Sequence, residues 1–241
     1  MRSYGKNKIW FFLILLIACL YFEYNDSLKN TLAINDKKEE YISNSNSNIP
    51  DYSGKDVIIL NNNEPNFDDL AKTTNSFEVY SELDSLGRCG EAYANIGVEL
   101  MPTSKRESIG SIKPSGWQIK RYDIITDGLY LYNRCHLIAF QLTAENANPK
   151  NLITCTRHMN ADVMTIYELK VGNYIRKTNN HVLYRSTPIF EGDNLIAKGI
   201  ELEALSVEDN GKGIKFHVFI YNVQPGIEIN YKNGNSSLIK K

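Results

Sequence analysis

The stretch from Tyr132 to Ile138, read together with Asn151 to Asn160, constrains the fold more than any other part of the chain. Tyr132-Asn133-Arg134-Cys135-His136-Leu137-Ile138 reads as a strand. Side chains alternate faces along a strand, so Arg134 and His136 share one face while Asn133 and Cys135 share the other. Glu145 to Lys150, with two Asn and a Pro, is a loop, and Asn151 to Thr156 is a second short extended run. From Asn160 to Lys177 the apolar positions Val163, Ile166, Tyr167, Val171, Tyr174 and Ile175 recur at intervals of three and four. That is helical spacing, with Gly172 a weak point.

One strand face thus carries a cation and a titratable imidazole. A phosphodiester needs positive charge on its oxygens and a base near the attacking water, and Arg134 with His136 could supply both. Each residue has a plainer reading when taken singly. A strand histidine is more often satisfied in a core than catalytic. Asn160 is a good helix N-cap, worth about 1 kcal/mol. Glu168 is by default a solvated helix residue, Asn151 can be turn chemistry, and Arg134 can be half of an ion pair. His158, His181 and His217 have no comparable company and read as structural.

Upstream, Val57 to Leu60 is a short apolar strand ended by Asn61-Asn62-Asn63-Glu64-Pro65. Phe67 to Lys72 can form a turn of helix, and Phe77 to Leu83 is extended. Leu86-Gly87-Arg88-Cys89-Gly90 marks a tight loop, and Glu91 to Leu100 fits helix or strand. Pro114 to Trp117 is a turn leading into a strand through Tyr122, and Asp127-Gly128 is a hairpin signal. Downstream, the chain reads as a three-stranded meander: His181 to Phe190, Leu195 to Val207, and Ile214 to Val223, the last with Phe216, Val218 and Ile220 on one face. After Tyr231 the chain is polar and expected to fray.

The first fifty residues carry a different signal. Arg2, Lys6 and Lys8 precede an apolar run from Ile9 to Phe22, which is short for a membrane span and fits a signal segment or anchor. Leu16-Ile17-Ala18-Cys19 resembles a lipobox, in which Cys19 would be lipidated. Residues 23–50, with Ser43 to Asn48 of low complexity, read as a polar tether. The expected organisation is a leader or anchor over 1–22, a linker over 23–50, a domain over 51–230 and a polar tail over 231–241. Either reading of the leader places the domain outside the cytoplasm. Cys89, Cys135 and Cys155 then allow one disulfide with one free thiol, or none. A zinc or thiol-nucleophile site built on them lacks a second ligand pair.

Net charge is -1, so no global basic field marks a nucleic-acid binder. Charge is nevertheless uneven. Lys120 to Arg185 holds nine Lys/Arg against five Asp/Glu, whereas Glu191 to Asp209 holds six acids and one Lys. A local basic face around the candidate site is compatible with a neutral whole.

In this order and spacing, Asn133-Arg134-Cys135-His136, Asn148 to Ile153, Asn160 and Glu168 resemble the DNA/RNA non-specific endonucleases, whose core is the ββα-metal (His-Me finger) motif. The resemblance runs over roughly Asp51 to Gly226 and is nearest to the exported Gram-positive branch that includes DNA-entry nucleases. It implies an α+β fold: a ββα-metal core, a central and mainly antiparallel sheet, and a helix carrying the metal ligand. It implies His136 as general base, Asn160 as the protein ligand of Mg²⁺ (Mn²⁺ as a substitute), and Arg134 as a phosphate-binding cation. Glu168 would hold water of the metal, and Asn151 would orient the site or that water. Arg185 and Arg88 are further candidates for phosphate contacts. The family pattern has Asp and Gly where this chain has Asn133 and Cys135.

Eight residues separate Asn160 and Glu168, about 12 Å along a regular helix, so both could not bind one ion directly on such a helix. The expected activity is Mg²⁺-dependent cleavage of DNA and RNA with little sequence preference, leaving 5′-phosphates. A non-catalytic nucleic-acid-binding component of DNA uptake is the alternative. Expected partners are nucleic acid as substrate and the membrane through the N-terminus.

Overall fold

Strands whose inner faces are almost wholly apolar build one antiparallel sheet. The computed structural model describes residues 49–126 and 128–240. The strands are β1 (Val57–Ile59), β2 (Phe77–Tyr80), β3 (Ala92–Ile96), β4 (Tyr132–His136), β5 (Leu152–Thr156), β6 (Val182–Ile189), β7 (Gly199–Ser206), β8 (Lys215–Tyr221), β9 (Ile227–Asn230) and β10 (Asn235–Leu238). Six of them form the main sheet in the order β1-β8-β7-β6-β3-β2, while β4 pairs with β5 and β9 with β10. The helical elements that matter for the site are α1 (Phe140–Thr143), a π-helix (His158–Met164) and α2 (Thr165–Thr178). Asp51 to Lys241 form one compact unit. The leader, Cys19 and all but the last two residues of the expected linker lie outside the described residues.

The expected meander is β6-β7-β8, in antiparallel register with Leu202 opposite Ser186 on one side and Val218 on the other. Alternation divides the sheet into two faces. Val182, Tyr184, Ile200, Leu202, Ala204, Phe216, Val218 and Ile220 point to one side. Against them pack Leu137, Ile138 and Ile153 of the β4–β5 unit and Met159, Met164, Val171 and Ile175 of the following helix. Burying each of these large side chains contributes about 1.5–3 kcal/mol, so this layer fixes the ββα unit on the sheet. Gly172, the weak point by propensity, lies inside α2, where a Cβ would meet Leu142 on α1 at 3.4 Å, an ordinary contact, so packing of the two helices does not require glycine there.

The sequence expectations fail in three places, each for a physical reason. The second meander strand begins only at Gly199, because Leu195 and Ile196 donate their backbone N–H groups to Lys232 and Tyr231 of the last hairpin. The residues expected to fray after Tyr231 instead form β10, paired with β9 and tied to the core by Tyr132 Oη donating to Gly234 O at 3.0 Å. Polarity misled there because the segment earns its place through backbone bonds. The strand expected up to Tyr122 reduces to a single bridge, Arg121 with Tyr130, in a narrow hairpin whose turn includes Gly128 at φ +80°. Asp127 of that hairpin signal lies outside the described residues.

Candidate active site

β4 and β5 pair with His136 opposite Leu152 and Asn133 opposite Cys155. Cys135 and Cys155, both fully buried, lie diagonally across the ladder with Cα atoms 5.9 Å apart and are joined by a disulfide. The residue that departs from the family's Gly therefore staples the histidine strand to its neighbour from the core side. Asn151 extends the same pairing. Its Oδ1 accepts from Ile138 N at 2.9 Å, its Nδ2 donates to Ile138 O at 3.0 Å, and its own carbonyl accepts from Leu137 N at 2.9 Å. Both ends of this buried amide are engaged by backbone, so Asn151 orients the chain after His136 and does not reach into the cleft.

His136 is only 6% exposed. Its Nε2 lies 2.8 Å from the carbonyl of Asn146, which can only accept, so Nε2 carries the proton and Nδ1 holds the lone pair. Nδ1 faces Nη2 of Arg106 at 3.3 Å. Burial, aided by the Arg106 charge and opposed by the Asn146 bond, pushes the imidazole down to about 4. The ring is thus neutral at ordinary pH, with its basic nitrogen turned toward Arg106.

Asn160 lies within the π-helix, and the residue before that helix is Arg157. Asn160 is therefore not a helix cap. Its backbone carbonyl accepts from Thr165 Oγ1 at 3.0 Å, while its side-chain amide makes no hydrogen bond among the described residues and lines an open cleft. The same cleft is lined by Arg106, Trp117, Tyr130, Asn133 and Arg134. The π-turn also changes the helix geometry. Eight residues on a regular helix rotate by about 800°, some 80° past two full turns. The extra residue taken up by a π-turn offsets part of that overshoot, so Asn160 and Glu168 lie nearer to one side than a regular helix would set them. Burial pushes the Glu168 carboxyl up to about 7, opposed by the charge of Arg106.

Arg106 is the functional candidate that sequence reasoning missed. It faces His136, acts on Glu168 and lines the cleft with Asn160. It comes from the long segment between β3 and β4, and no local periodicity reveals where such a segment returns. The only signal was the Lys105-Arg106 pair in a stretch otherwise rich in Ser, Pro and Gly.

The other arginines divide. Arg134 lines the cleft, but its Nε donates to Ile112 O, one Nη donates to Gly110 O at 2.8 Å, and the guanidinium lies 4.0 Å over the Trp117 ring. It organises the cleft wall. Arg185 is on the opposite face of the sheet, bound to Glu203 at 2.7 Å and to Asn66 O at 2.7 Å, and stacked 5.0 Å over Phe67. The sheet separates it from the cleft, so the phosphate contact expected of it does not hold. Arg88 is also used structurally, with Asp84 at 2.7 Å, Gly192 O at 2.7 Å and the Phe190 ring at 4.8 Å. The thiol reading fails as well. Cys135 and Cys155 hold each other, and burial pushes the Cys89 thiol up to about 12.

Two places could attract a cation. Glu201, Glu203 and His217 offer ligand atoms within 4.8 Å of one another on the far face of the sheet. There His217 donates from Nδ1 to Glu64 O at 3.0 Å and from Nε2 to Glu201 at 2.6 Å. An imidazole donating from both nitrogens is protonated and has no lone pair for a metal. Around Arg106 the donor set is different: the amide of Asn160, which lines the cleft with Arg106 and makes no hydrogen bond among the described residues, and the Glu168 carboxyl, on which the Arg106 charge acts. Hard oxygen donors with room for water fit Mg²⁺.

A histidine presented by a two-stranded antiparallel unit, with the helix that follows supplying oxygen donors, defines the ββα-metal class of folds. A family model described as DNA/RNA non-specific endonuclease matches residues 68–208. This chain belongs to that family. It is 27% identical over 204 residues to a deoxyribonuclease of Streptococcus dysgalactiae subsp. equisimilis, an alignment covering 68% of this chain and 61% of that protein. The chain thus spans less than two thirds of that relative. Its fold is similar to the crystal structure of NucA from Streptococcus agalactiae with magnesium bound, at 23% identity and TM-score 0.70, covering 83% of this chain and 96% of the other. It is also similar to the Sda1 nuclease with bound zinc, at 28% identity and TM-score 0.56, covering 68% and 81%.

Proposed function

We propose that the protein is a Mg²⁺-dependent endonuclease that hydrolyses phosphodiester bonds of DNA, and of RNA, with little sequence preference. One observation supports this reading above the others: Arg106, whose Nη2 lies 3.3 Å from Nδ1 of His136, lines the same cleft as the unengaged amide of Asn160. His136 takes a proton at Nδ1 from the attacking water, and the Asn146 carbonyl holds the ring in the tautomer that can do so. As water bonds to phosphorus, the bond to the 3′ oxygen breaks and that oxygen takes a proton from solvent, leaving a 3′-hydroxyl and a 5′-phosphate. Arg106 donates to the phosphate oxygens as their charge grows. Asn160 and Glu168 would hold the Mg²⁺ ion, which supplies charge stabilisation on the phosphate and on the leaving oxygen. Arg134 and Asn151 act by positioning. Contacts directed to phosphate carry no sequence information, so little base preference is expected.

The work is done outside the cytoplasm, with the protein released or held to the membrane through residues 9–22 or a lipidated Cys19. The leader-like sequence and the Cys135–Cys155 disulfide support this, since such bonds persist in oxidising compartments. The test is plasmid nicking with Mg²⁺ and with EDTA. The wild type should cut only with metal. His136→Ala should lose about 10²–10⁴-fold in rate while remaining folded by circular dichroism. Normal turnover in that variant refutes the base assignment; binding without cutting in the wild type favours the non-catalytic DNA-uptake alternative.

A further inference from the structure

The cleft has a wall that phosphate chemistry alone does not require. Ile119 is 74% exposed and Tyr130 47% exposed, and both line the cleft that contains Asn160, Arg106 and Arg134. Arg121 lies 5.0 Å over one side of the Tyr130 ring. From Lys105 to Arg121 the sequence holds five Lys/Arg and a single acid, Glu107. Apolar and aromatic groups set among cations next to a phosphate-handling centre are the elements of a single-strand binding groove.

The wall is also tied to its surroundings at several points. Arg134 ties the loop through the carbonyls of Gly110 and Ile112 and braces Trp117. Ser115 Oγ donates to Leu195 O at 2.7 Å, Leu131 N donates to Lys120 O at 2.9 Å, and the hydroxyls of Tyr122 and Ser236 meet at 2.8 Å. A pre-set surface of this kind loses little entropy when a ring stacks on it. In duplex nucleic acid the base faces are covered by their neighbours and only edges and backbone are offered. Unpaired nucleotides expose the faces.

We propose that Tyr130, flanked by Ile119 and Arg121, is a stacking platform for unpaired nucleotides, so that the enzyme selects single-stranded or locally melted nucleic acid over duplex; the inference rests on the nuclease reading above. The test measures initial rates of the full chain on a fluorescent mixed-sequence oligonucleotide and on the same sequence as a blunt duplex, at one salt and Mg²⁺ concentration. The wild type should favour the single strand by about ten-fold or more in kcat/KM. Tyr130→Ala should bring the ratio close to unity, mainly through KM, and Tyr130→Phe should keep it. A wild type without preference, or a Tyr130→Ala ratio equal to wild type, overturns the proposal.

A second measurement needs no cutting. Fluorescence anisotropy with His136→Ala protein should show tight binding to the single strand that is lost when Tyr130→Ala is added. Equal binding of single strand and duplex overturns the platform. Selective single-strand binding by a wild type that never cuts would keep the platform and refute the nuclease reading.

Discussion

At His136 burial and the neighbouring guanidinium act in the same direction. Both disfavour the imidazolium, and together they outweigh the Asn146 carbonyl, leaving the ring at about 4. On the proposed mechanism the neutral ring is the active form, so the limb that His136 contributes to kcat/KM should lie at about 4, below the ordinary imidazole value of about 6.5, while a limb at about 7 belongs to Glu168. Profiles from about 3.5 to 8 for wild type and Glu168→Gln check this; a limb at about 6.5 that survives in Glu168→Gln would mean that burial and Arg106 do not act on His136 in the working enzyme. Asn160 makes a separate prediction. Because its amide has no hydrogen bond to lose, Asn160→Ala should leave the melting temperature within about 1 °C, as for surface changes. It should still raise the Mg²⁺ concentration needed for half-maximal rate. An unchanged Mg²⁺ titration would remove Asn160 from the metal site.

The β4–β5 unit is held in three ways: by its backbone ladder, by the Asn151 amide and by the Cys135–Cys155 disulfide. With a sequence separation of 20, the crosslink should contribute about 3 kcal/mol by restricting the unfolded chain. The double variant Cys135→Ser/Cys155→Ser should therefore melt well below wild type, measured by thermal denaturation; equal melting would mean that the crosslink constrains little. This element was largely legible in the sequence. Alternation along Tyr132 to His136 and the three-and-four spacing after Asn160 were enough to place both strands and the helix. The π-turn was not legible, because apolar spacing does not distinguish one extra residue in a turn. Arg106 was not legible because its role depends on where a long irregular loop returns. Arg185 misled because a basic count over a segment does not say which face of a strand each cation takes.

On the scale of the molecule the sheet keeps two electrostatic environments apart. On the cleft side His136 is held neutral, and its folded value lies below the unfolded one. It therefore costs stability as pH falls from about 6.5 to about 4. On the far side burial pulls His217 down, but the hydrogen bond to Glu201, the charge of Glu203 and the Glu64 carbonyl outweigh it and raise the folded value. That contribution is complete below about 6.5 and is lost as pH rises through the raised value. The melting-temperature difference between wild type and His217→Gln should thus be largest near pH 6 and shrink toward pH 9. A constant difference would mean that the ring does not titrate in this range.

The staple between β4 and β5 bears on the cell that makes the protein. In a reducing compartment the Cys135–Cys155 bond would be absent and the β4–β5 unit would lack its crosslink. On the proposed reading of an exported nuclease, the maker's own genome and messages would meet the protein only in that looser form.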